Sequence, residues 1–181
     1  MTFSRNFARF WRALASHMVT GSFVSALHGI PRATHDIDVV IAPTAQQLHA
    51  LISEFTQSEY YGDIEDALQA LRYTSQFNVI DARGAWKIDF IIKKDRPFSG
   101  AEFARRRLMT VLGVPVYVAT AEDILLAKLE WAKMGESERQ LRDASGIVEV
   151  QGENLDVSYV ERWVAALSLQ AQWERAKSLA G

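Results

Sequence analysis

Residues 28–41 have the sequence HGIPRATHDIDVVI, in which a Gly-Ile-Pro turn is followed by a strand-like run that begins at Asp36. The β-branched residues of this run favour an extended strand. Because side chains alternate between the two faces of a strand, Asp36 and Asp38 project from one side and Ile37 from the other. Carboxylate oxygens are the ligands that Mg²⁺ usually takes from a protein. The segment therefore predicts a strand with a metal-binding pair of acids, although two solvated surface acids would have the same spacing.

A third aspartate, Asp89, lies in the strand-like run WKIDFII. Aspartate is disfavoured in strands, and large apolar residues surround this one, so its charge needs compensation. If the two strands are neighbours, Asp36, Asp38 and Asp89 can share one cation cluster, in which two metals could align a triphosphate and activate an attacking hydroxyl. Two alternatives stay open. Asp89 can form an ion pair with Lys87, two residues away on the same face, or Asp81 at the hairpin end can supply the third ligand.

Gly21-Ser22 and Arg32 precede the acidic strand and are candidates for binding phosphate. A glycine lets a ligand approach the backbone, and a serine at a helix start can bind phosphate through its hydroxyl and the neighbouring N–H groups. Arg32 could hold a phosphate or a carboxylate. The alternatives are that Gly21-Ser22 is only a helix cap and that Arg32 is an ordinary surface arginine.

Apolar periodicity, capping residues and turn residues predict the other elements. The expected helices are an amphipathic one over residues 2–17, a short one over 23–28, one capped by Thr44, one over 63–72, one capped by Ser99 that holds Arg105–Arg107, one capped by Thr120 that ends near 134, and further helices to the C-terminus. The expected strands are 18–20, a hairpin of 76–81 and 86–92 with its tip at Arg83-Gly84, and a pair, 108–112 and 114–118, that turns at Gly113. This order predicts an α+β fold, a mixed β-sheet flanked by helices, with a core domain over residues 1–119 and a C-terminal helical extension over 120–181.

Composition excludes several classes of site and partner. The 181 residues include no cysteine, which rules out disulfides and thiolate metal sites, and the formal net charge of −2 gives no overall attraction to nucleic acid or to an acidic membrane. No apolar run is long enough to span a bilayer, so we expect no membrane partner and a cytoplasmic location. The motifs of zinc hydrolases, P-loop NTPases, dinucleotide-binding enzymes and serine hydrolases are missing.

Three of these features together resemble the DNA polymerase beta-type nucleotidyltransferases: Gly21-Ser22, then Asp36-Ile37-Asp38 fourteen residues on, then Asp89 on a later strand. More narrowly, residues 28–39 are similar to bacterial nucleotidyltransferases of the AbiEii-type toxin and related uncharacterised groups, where a Gly-x-x-Arg-x-Thr-x-Asp-x-Asp string is typical. Residues 120–129 and 139–143 are similar to the lysine and aspartate motifs that follow the core in that family. The resemblance covers about residues 15–148.

The resemblance implies a fold and an activity. Asp36, Asp38 and Asp89 would be the catalytic residues and would bind Mg²⁺ or Mn²⁺, Gly21 and Ser22 would hold nucleotide phosphates, and Lys128 would reach the nucleotide or its triphosphate. The implied reaction transfers a nucleoside monophosphate from an NTP, by default ATP, to an acceptor hydroxyl and releases pyrophosphate. A tRNA end, a protein hydroxyl and a small molecule such as an antibiotic all remain open as acceptors.

Other interpretations of the same residues remain. The chain could be a non-catalytic protein of this fold that binds or regulates a protein partner, for example one half of a toxin–antitoxin pair, or a structural module whose acids are surface charges. By default, the aliphatic stem of Lys128 would lie along an apolar face and its ammonium group would lie in water. Asp143 would more often pair with Arg139 one turn earlier, and we do not assign it as a base. Arg105–Arg107 could contact acceptor phosphates or be a solvated helix end.

Overall fold

A computed structural model describes residues 16–55, 59–82, 86–111 and 113–181. The predicted N-terminal helix lies outside the described residues as far as residue 15, and the predicted hairpin tip at Arg83-Gly84 lies outside them too. His17, the last residue of that predicted helix, belongs to the first strand instead. The chain forms two compact units. One contains His35–Val118 and the described residues before Gly21, and the other contains Gly21–Thr34 and Ala119–Gly181. The predicted division at residue 119 stays a prediction.

The first unit, here called the sheet unit, is built on a mixed β-sheet. Its strands are β1 (His17–Thr20), β2 (Asp36–Ile41), β3 (Tyr60–Tyr61), β4 (Gln76–Asp81), β5 (Lys87–Ile92), β6 (Arg107–Val111) and β7 (Val114–Val118), and their spatial order is β3-β4-β5-β2-β1-β7-β6. The pairs β1–β7 and β2–β5 are parallel, and the other neighbours are antiparallel. The predicted β2 strand, the β4–β5 hairpin and the β6–β7 pair are confirmed. A positive φ of 78° at Gly113 explains the turn between β6 and β7.

Three helices of the sheet unit lie between its strands in the described sequence: α2 (Ala45–Ser53), α3 (Ile64–Tyr73) and α4 (Pro97–Arg105). Thr44 caps α2, as predicted, and the structure adds a complete capping box with Gln47, while Asp63 caps α3. The prediction that Ser99 caps α4 is wrong. The helix begins at Pro97, two residues before Ser99, because proline suits the first helical position. The Ser99 hydroxyl accepts a hydrogen bond from Arg96 Nε at 3.0 Å.

The second unit, here called the helical unit, contains α1 (Gly21–His28), α5 (Ala121–Gly135), α6 (Glu138–Gln151), a 3₁₀ turn (Gly152–Asn154), α7 (Val157–Ala166) and α8 (Gln170–Ala180). Gly29 lets the segment after α1 pack directly on α6. A Cβ at Gly29 would lie 2.8 Å from the Ile147 nitrogen and 2.9 Å from the Gly146 carbonyl carbon, which is closer than real Cβ contacts. A glycine is therefore required here, and this close packing fixes the start of the loop that carries Arg32. Among the described helices, none has the length and apolarity needed to cross a membrane.

The first turn of α5 contains a buried carboxylate that joins α5 to α7. Asp123 is fully buried, and the Tyr159 hydroxyl donates to its Oδ1 at 2.5 Å. Thr120, the predicted cap of α5, accepts from the Asp123 backbone N–H, and its hydroxyl donates to Asp123 Oδ2 at 2.7 Å. A buried carboxylate is stable only when such donors replace its water. This network therefore sets the packing of the first turn of α5 against α7.

Replacing Tyr159 with Phe should destabilise the helical unit by about 2 kcal/mol, because the ring is kept while a buried carboxylate oxygen loses a charge-assisted hydrogen bond. Urea denaturation at neutral pH would measure the change. The matched control is Tyr73→Phe, at a tyrosine that is 67% exposed, and it should change the free energy of unfolding by less than about 0.5 kcal/mol. Equal stabilities of the two variants would contradict this account of Asp123.

Candidate functional site

The pairing of β2 with β5 brings the three predicted metal ligands together on one face of the sheet. The two strands are parallel and in register, with Asp38 opposite Asp89 and Asp36 opposite Lys87. Residues opposite each other on neighbouring strands, and residues two apart on one strand, point to the same face. Three carboxylates and one ammonium therefore occupy neighbouring positions on one face of the sheet, and we call them the aspartate cluster. The structure places the Asp89 strand beside the Asp36 strand, which is the condition that the shared cation site needs, and the metal site itself stays a prediction.

The opposite face of the same two strands fixes this register. Ile37, Val39, Ile88 and Phe90 are all at most 5% exposed, so the apolar side of both strands belongs to the core. A slip of one residue would exchange the two faces and place carboxylates in that core. The register of the aspartate cluster is thus enforced by burial of its apolar neighbours.

Lys87 compensates the least exposed of the three carboxylates. Its Nζ lies 2.8 Å from Asp89 Oδ2 and 3.6 Å from Asp36 Oδ1, and the Asp89 side chain is only 11% exposed. The hydrogen bond to Asp89 raises the pKa of Lys87 above its ordinary value despite partial desolvation, and the charges of Asp36 and Asp38 act in the same direction. The Lys87–Asp89 ion pair, one of the two alternatives that the sequence left open, is therefore present.

The aspartate cluster fits a hard divalent cation by the chemistry of its donors. All of its donors are carboxylate oxygens, and they come from two neighbouring strands. In the part of the chain that the structure describes, no three His, Asp or Glu side chains are already gathered closely enough to hold a metal ion. An ammonium group makes the close contacts with Asp89 and Asp36 instead.

Asp81 does not belong to this group by strand geometry. In the β4–β5 pairing Asn78 lies opposite Asp89, so Asn78 shares the face of the aspartate cluster. Asp81, three residues further along the strand, falls by alternation on the other face with the buried Phe77. Its backbone N–H donates to the Trp86 carbonyl at 2.9 Å, close to the hairpin end. Asp89 therefore remains the better candidate for a third ligand.

A second ionic group lies inside the helical unit and gathers the predicted phosphate-binding side chains around Ser22. The Ser22 hydroxyl accepts hydrogen bonds from Arg32 Nη2 and from Lys128 Nζ. Both cations also bind Asp143: Arg32 in a bidentate pair at 3.0 and 3.1 Å, and Lys128 at 2.8 Å. Gln140 Oε1 accepts a further hydrogen bond from Lys128 at 2.9 Å. We call these five residues the Ser22 cluster.

The charged groups of the Ser22 cluster are largely buried, so each of them needs a partner of opposite charge. The side chains of Lys128 and Asp143 are only 4% and 8% exposed, while that of Arg32 is 31% exposed. Burial alone would raise the pKa of Asp143, but hydrogen bonds from Arg32 and Lys128 outweigh it and hold the pKa below its ordinary value. The default expectations for Lys128 and Asp143 are therefore wrong. Lys128 does not place its charge in water, and Asp143 pairs with two distant cations rather than with Arg139.

The Ser22 cluster also lies at the start of α1. Gly21 is the first residue of that helix and has a φ of 70°, a conformation that only glycine adopts readily. The first N–H groups of a helix have no partner within the helix and carry partial positive charge. Two cations against one carboxylate leave a formal positive charge beside Ser22. The arrangement can therefore receive an anionic oxygen.

Two histidines and the three successive arginines make other contacts in the part of the chain that the structure describes. His28 Nε2 lies 3.0 Å from the Ala119 carbonyl within the helical unit. His35 makes a tilted ring contact with Trp86, with the ring centroids 6.2 Å apart. The three successive arginines are in different environments: Arg105 ends α4, Arg106 stacks on Phe103 and Tyr117, and Arg107 begins β6. The prediction that all three belong to a helix is therefore wrong.

Replacing Asp143 with Asn should destabilise the protein by about 3 kcal/mol at pH 7, because two partly or fully buried cations lose their carboxylate. Folding lowers the pKa of Asp143, so the carboxylate stabilises the protein above its unfolded-state pKa of about 4. This contribution is lost as the pH falls through the lower folded-state value. The stability difference between wild type and Asp143→Asn should therefore shrink below about pH 4.

Urea denaturation between pH 7 and pH 3 would measure this difference. Glu149→Gln is the matched control, because Glu149 is an exposed acid on the same helix, and its effect should stay within about 0.5 kcal/mol at pH 7. A stability difference for Asp143→Asn that does not change with pH would show that its ionisation does not stabilise the cluster.

Comparison with solved structures identifies the class of fold. No protein-family model and no curated protein sequence matches the chain. The crystal structure of ANT(2")-Ia in complex with adenylyl-2"-tobramycin is similar, with 13% identity, coverage of 96% of this chain and 99% of that chain, and a TM-score of 0.55. An antigenic nucleotidyltransferase-like protein from Paracoccidioides brasiliensis is also similar, with 16% identity, coverage of 94% and 92%, and a TM-score of 0.51. The narrower grouping with AbiEii-type proteins stays a prediction. The chain therefore has a nucleotidyltransferase-like fold, with a mixed seven-stranded sheet and C-terminal helices.

Proposed function

We propose that the chain is a metal-dependent nucleotidyltransferase that transfers a nucleoside monophosphate from an NTP, by default ATP, to an acceptor hydroxyl with release of pyrophosphate. The parallel register of β2 and β5 carries this proposal, because it places Asp38 directly opposite Asp89 with Asp36 two residues away on the same face. Adjacent carboxylates repel one another, and a sheet keeps them together at a cost unless a cation shields them. Their retention on one face is what a divalent metal site needs.

Asp36, Asp38 and Asp89 would hold Mg²⁺ or Mn²⁺ in this proposal. A divalent cation bound there would neutralise charge that develops on the transferred phosphoryl group and would lower the pKa of an attacking hydroxyl. The chain's own contribution is orientation. Two carboxylates on β2 and one on β5 are fixed by a sheet whose other face is buried, so their spacing does not depend on a loop.

Gly21, Ser22, Arg32 and Lys128 would bind the phosphates of the nucleotide. Support comes from the Ser22 cluster, where two cations already donate to one hydroxyl oxygen and could donate to a phosphate oxygen in the same way. Asp143 would then be a positioning residue, since it holds Arg32 and Lys128 in place without touching the substrate. A bidentate pair with Arg32 orients the guanidinium plane.

The acceptor class is left to experiment. ANT(2")-Ia was crystallised with adenylyl-2"-tobramycin, an adenylylated small molecule. At 13% identity that similarity extends to the fold alone. A tRNA end, a protein hydroxyl and a small molecule therefore all remain candidate acceptors. A protein partner, as in one half of a toxin–antitoxin pair, belongs to the second candidate, a non-catalytic binding or regulatory protein of the same fold.

One observation favours a second candidate, a non-catalytic binding or regulatory protein of the same fold. The ammonium of Lys87 lies 2.8 Å from Asp89, so the least exposed carboxylate is charge-compensated by the chain itself. A protein that had no need of a metal would be stable with such an internal ion pair. The two candidates differ in whether nucleotide is consumed.

Transfer of label from α-³²P-NTPs in the presence of Mg²⁺ to RNA, protein or small-molecule fractions of a lysate would test the enzyme. We expect label in one acceptor fraction. The rate of transfer should fall by at least about 100-fold in Asp38→Asn and in Asp89→Asn, because each substitution removes a negatively charged ligand of the divalent cation. Asp81→Asn is the matched control. It removes an acid from the same sheet but from the opposite face, so transfer should be kept.

Two outcomes would contradict the assignment. Equal loss of transfer in Asp81→Asn would mean that Asp81 takes part in the site. Absence of transfer with every NTP, although the folded protein binds Mg²⁺ and nucleotide, would favour the binding or regulatory protein. Circular dichroism of each variant would separate loss of function from loss of fold.

A further inference from the structure

Strand β6 ends the sheet on the side of β7, and among the described residues no strand pairs with its outer edge. The strand runs in unbroken register with β7, without a bulge and without a proline of its own. Four of its five residues are exposed, and because side chains alternate between faces, neither face of the strand is covered. Natural proteins usually protect such an edge with charges, prolines or bulges, so an open edge indicates a surface for pairing.

The outer edge of β6 presents the main-chain groups of Leu108 and Thr110. In an antiparallel pair, hydrogen-bonded and non-hydrogen-bonded positions alternate, and residues at the second kind point their N–H and C=O groups away from the partner strand. Thr110 lies opposite Pro115, which has no N–H to donate to β6. Leu108 lies opposite Tyr117, whose N–H donates instead to His17 Nε2 at 3.4 Å. Both observations place Leu108 and Thr110 at non-hydrogen-bonded positions, so their main-chain groups turn outward.

Apolar side chains lie on both faces of this edge. Leu108 is 61% exposed on one face, and Tyr117 beside it on β7 is 38% exposed. Met109 is 38% exposed on the opposite face. Arg107 is the only charged residue of β6 and stands at its first position. The edge therefore offers main-chain hydrogen bonds at its centre and apolar contacts on both faces, with its charge at one end.

We propose that β6 pairs antiparallel with β6 of a second copy of the chain, in a register centred on Met109, and so joins two sheets into one. The two outward-turned residues lie symmetrically on either side of Met109. A two-fold axis through that position therefore sets Leu108 of each copy opposite Thr110 of the other. Each of these pairs is a hydrogen-bonded pair, in which both residues exchange N–H···O=C bonds. The same arrangement satisfies all the outward main-chain groups of Leu108 and Thr110.

The position of Arg107 favours this two-fold arrangement over a parallel one. Antiparallel pairing centred on Met109 sets Arg107 opposite Val111 of the second copy, so the two arginines lie about 13 Å apart along the strands. Salt screens most of their repulsion at that distance. Parallel pairing in register would set the two arginines side by side, which is unfavourable. Because the strand is short, the interface is small, and we expect a weak and reversible dimer.

Sedimentation equilibrium of the full chain tests the proposal. The wild type should dimerise reversibly with a dissociation constant on the order of 100 µM, which is measurable at protein concentrations up to about 1 mM. Met109→Lys should weaken the dimer at least about tenfold, because it sets two ammonium groups opposite each other at the two-fold axis. Met109→Glu should have the same effect. An equimolar mixture of the two variants should dimerise within about threefold of wild type, because each lysine then faces a glutamate.

Two further variants separate the strand edge from other causes. Thr110→Pro removes an outward N–H that the β6–β7 pair does not use, so the hairpin should still form while the dimer weakens at least about tenfold. Met134→Lys adds the same charge at a methionine of α5 that is 65% exposed. It should leave the dissociation constant within about twofold of wild type. Circular dichroism of each variant would show whether the fold is retained.

Three outcomes would overturn the proposal. A wild type that stays monomeric at the highest concentration would exclude a second copy as the occupant and leave a strand of another protein as the alternative. A dimer that Met109→Lys and Thr110→Pro leave unchanged would be formed through another surface. A mixture of Met109→Lys and Met109→Glu that stays monomeric, although both variants are folded, would rule out the register centred on Met109.

Discussion

The parallel pairing of β2 with β5 is the constraint on which both the sheet and its candidate chemistry depend. It places two apolar rows in the core and, on the other face, sets Asp38 opposite Asp89. The same hydrogen bonds therefore position the core and the acids. Parallel strands need a long connection between them, and here the chain forms α2, β3, α3 and β4 before β5 pairs with β2.

Keeping carboxylates side by side on a sheet has an electrostatic cost, and Lys87 offsets part of it. Asp89 is the residue for which this matters most, because its side chain is 11% exposed and a carboxylate there has little water. Asp36 is half-exposed and depends less on the ammonium. A cluster that is partly neutralised is stable enough to fold and still retains charge to bind a cation.

Alternation and turn chemistry were sufficient to predict much of this structure. β2 was expected over the six residues at which it occurs, and Thr44, Thr120 and Gly113 have their expected roles. The side chains were harder to predict where partners are distant in sequence. Asp143 binds Arg32, 111 residues away, and no local pattern contains that pair. The spacing of Asp143 and Arg139 suggested a helical ion pair, but burial of Lys128 made the distant partners the stronger ones.

The two ionic clusters show why the net charge of the chain says little about what it binds. The formal total is −2, yet the aspartate cluster places three acids beside one ammonium and the Ser22 cluster places two cations beside one carboxylate, so opposite charges are unequal in number within each cluster. Each imbalance is local to one unit and is partly sheltered from solvent, so salt screens it less than it screens the exposed surface. A divalent cation suits the first imbalance and a phosphate suits the second.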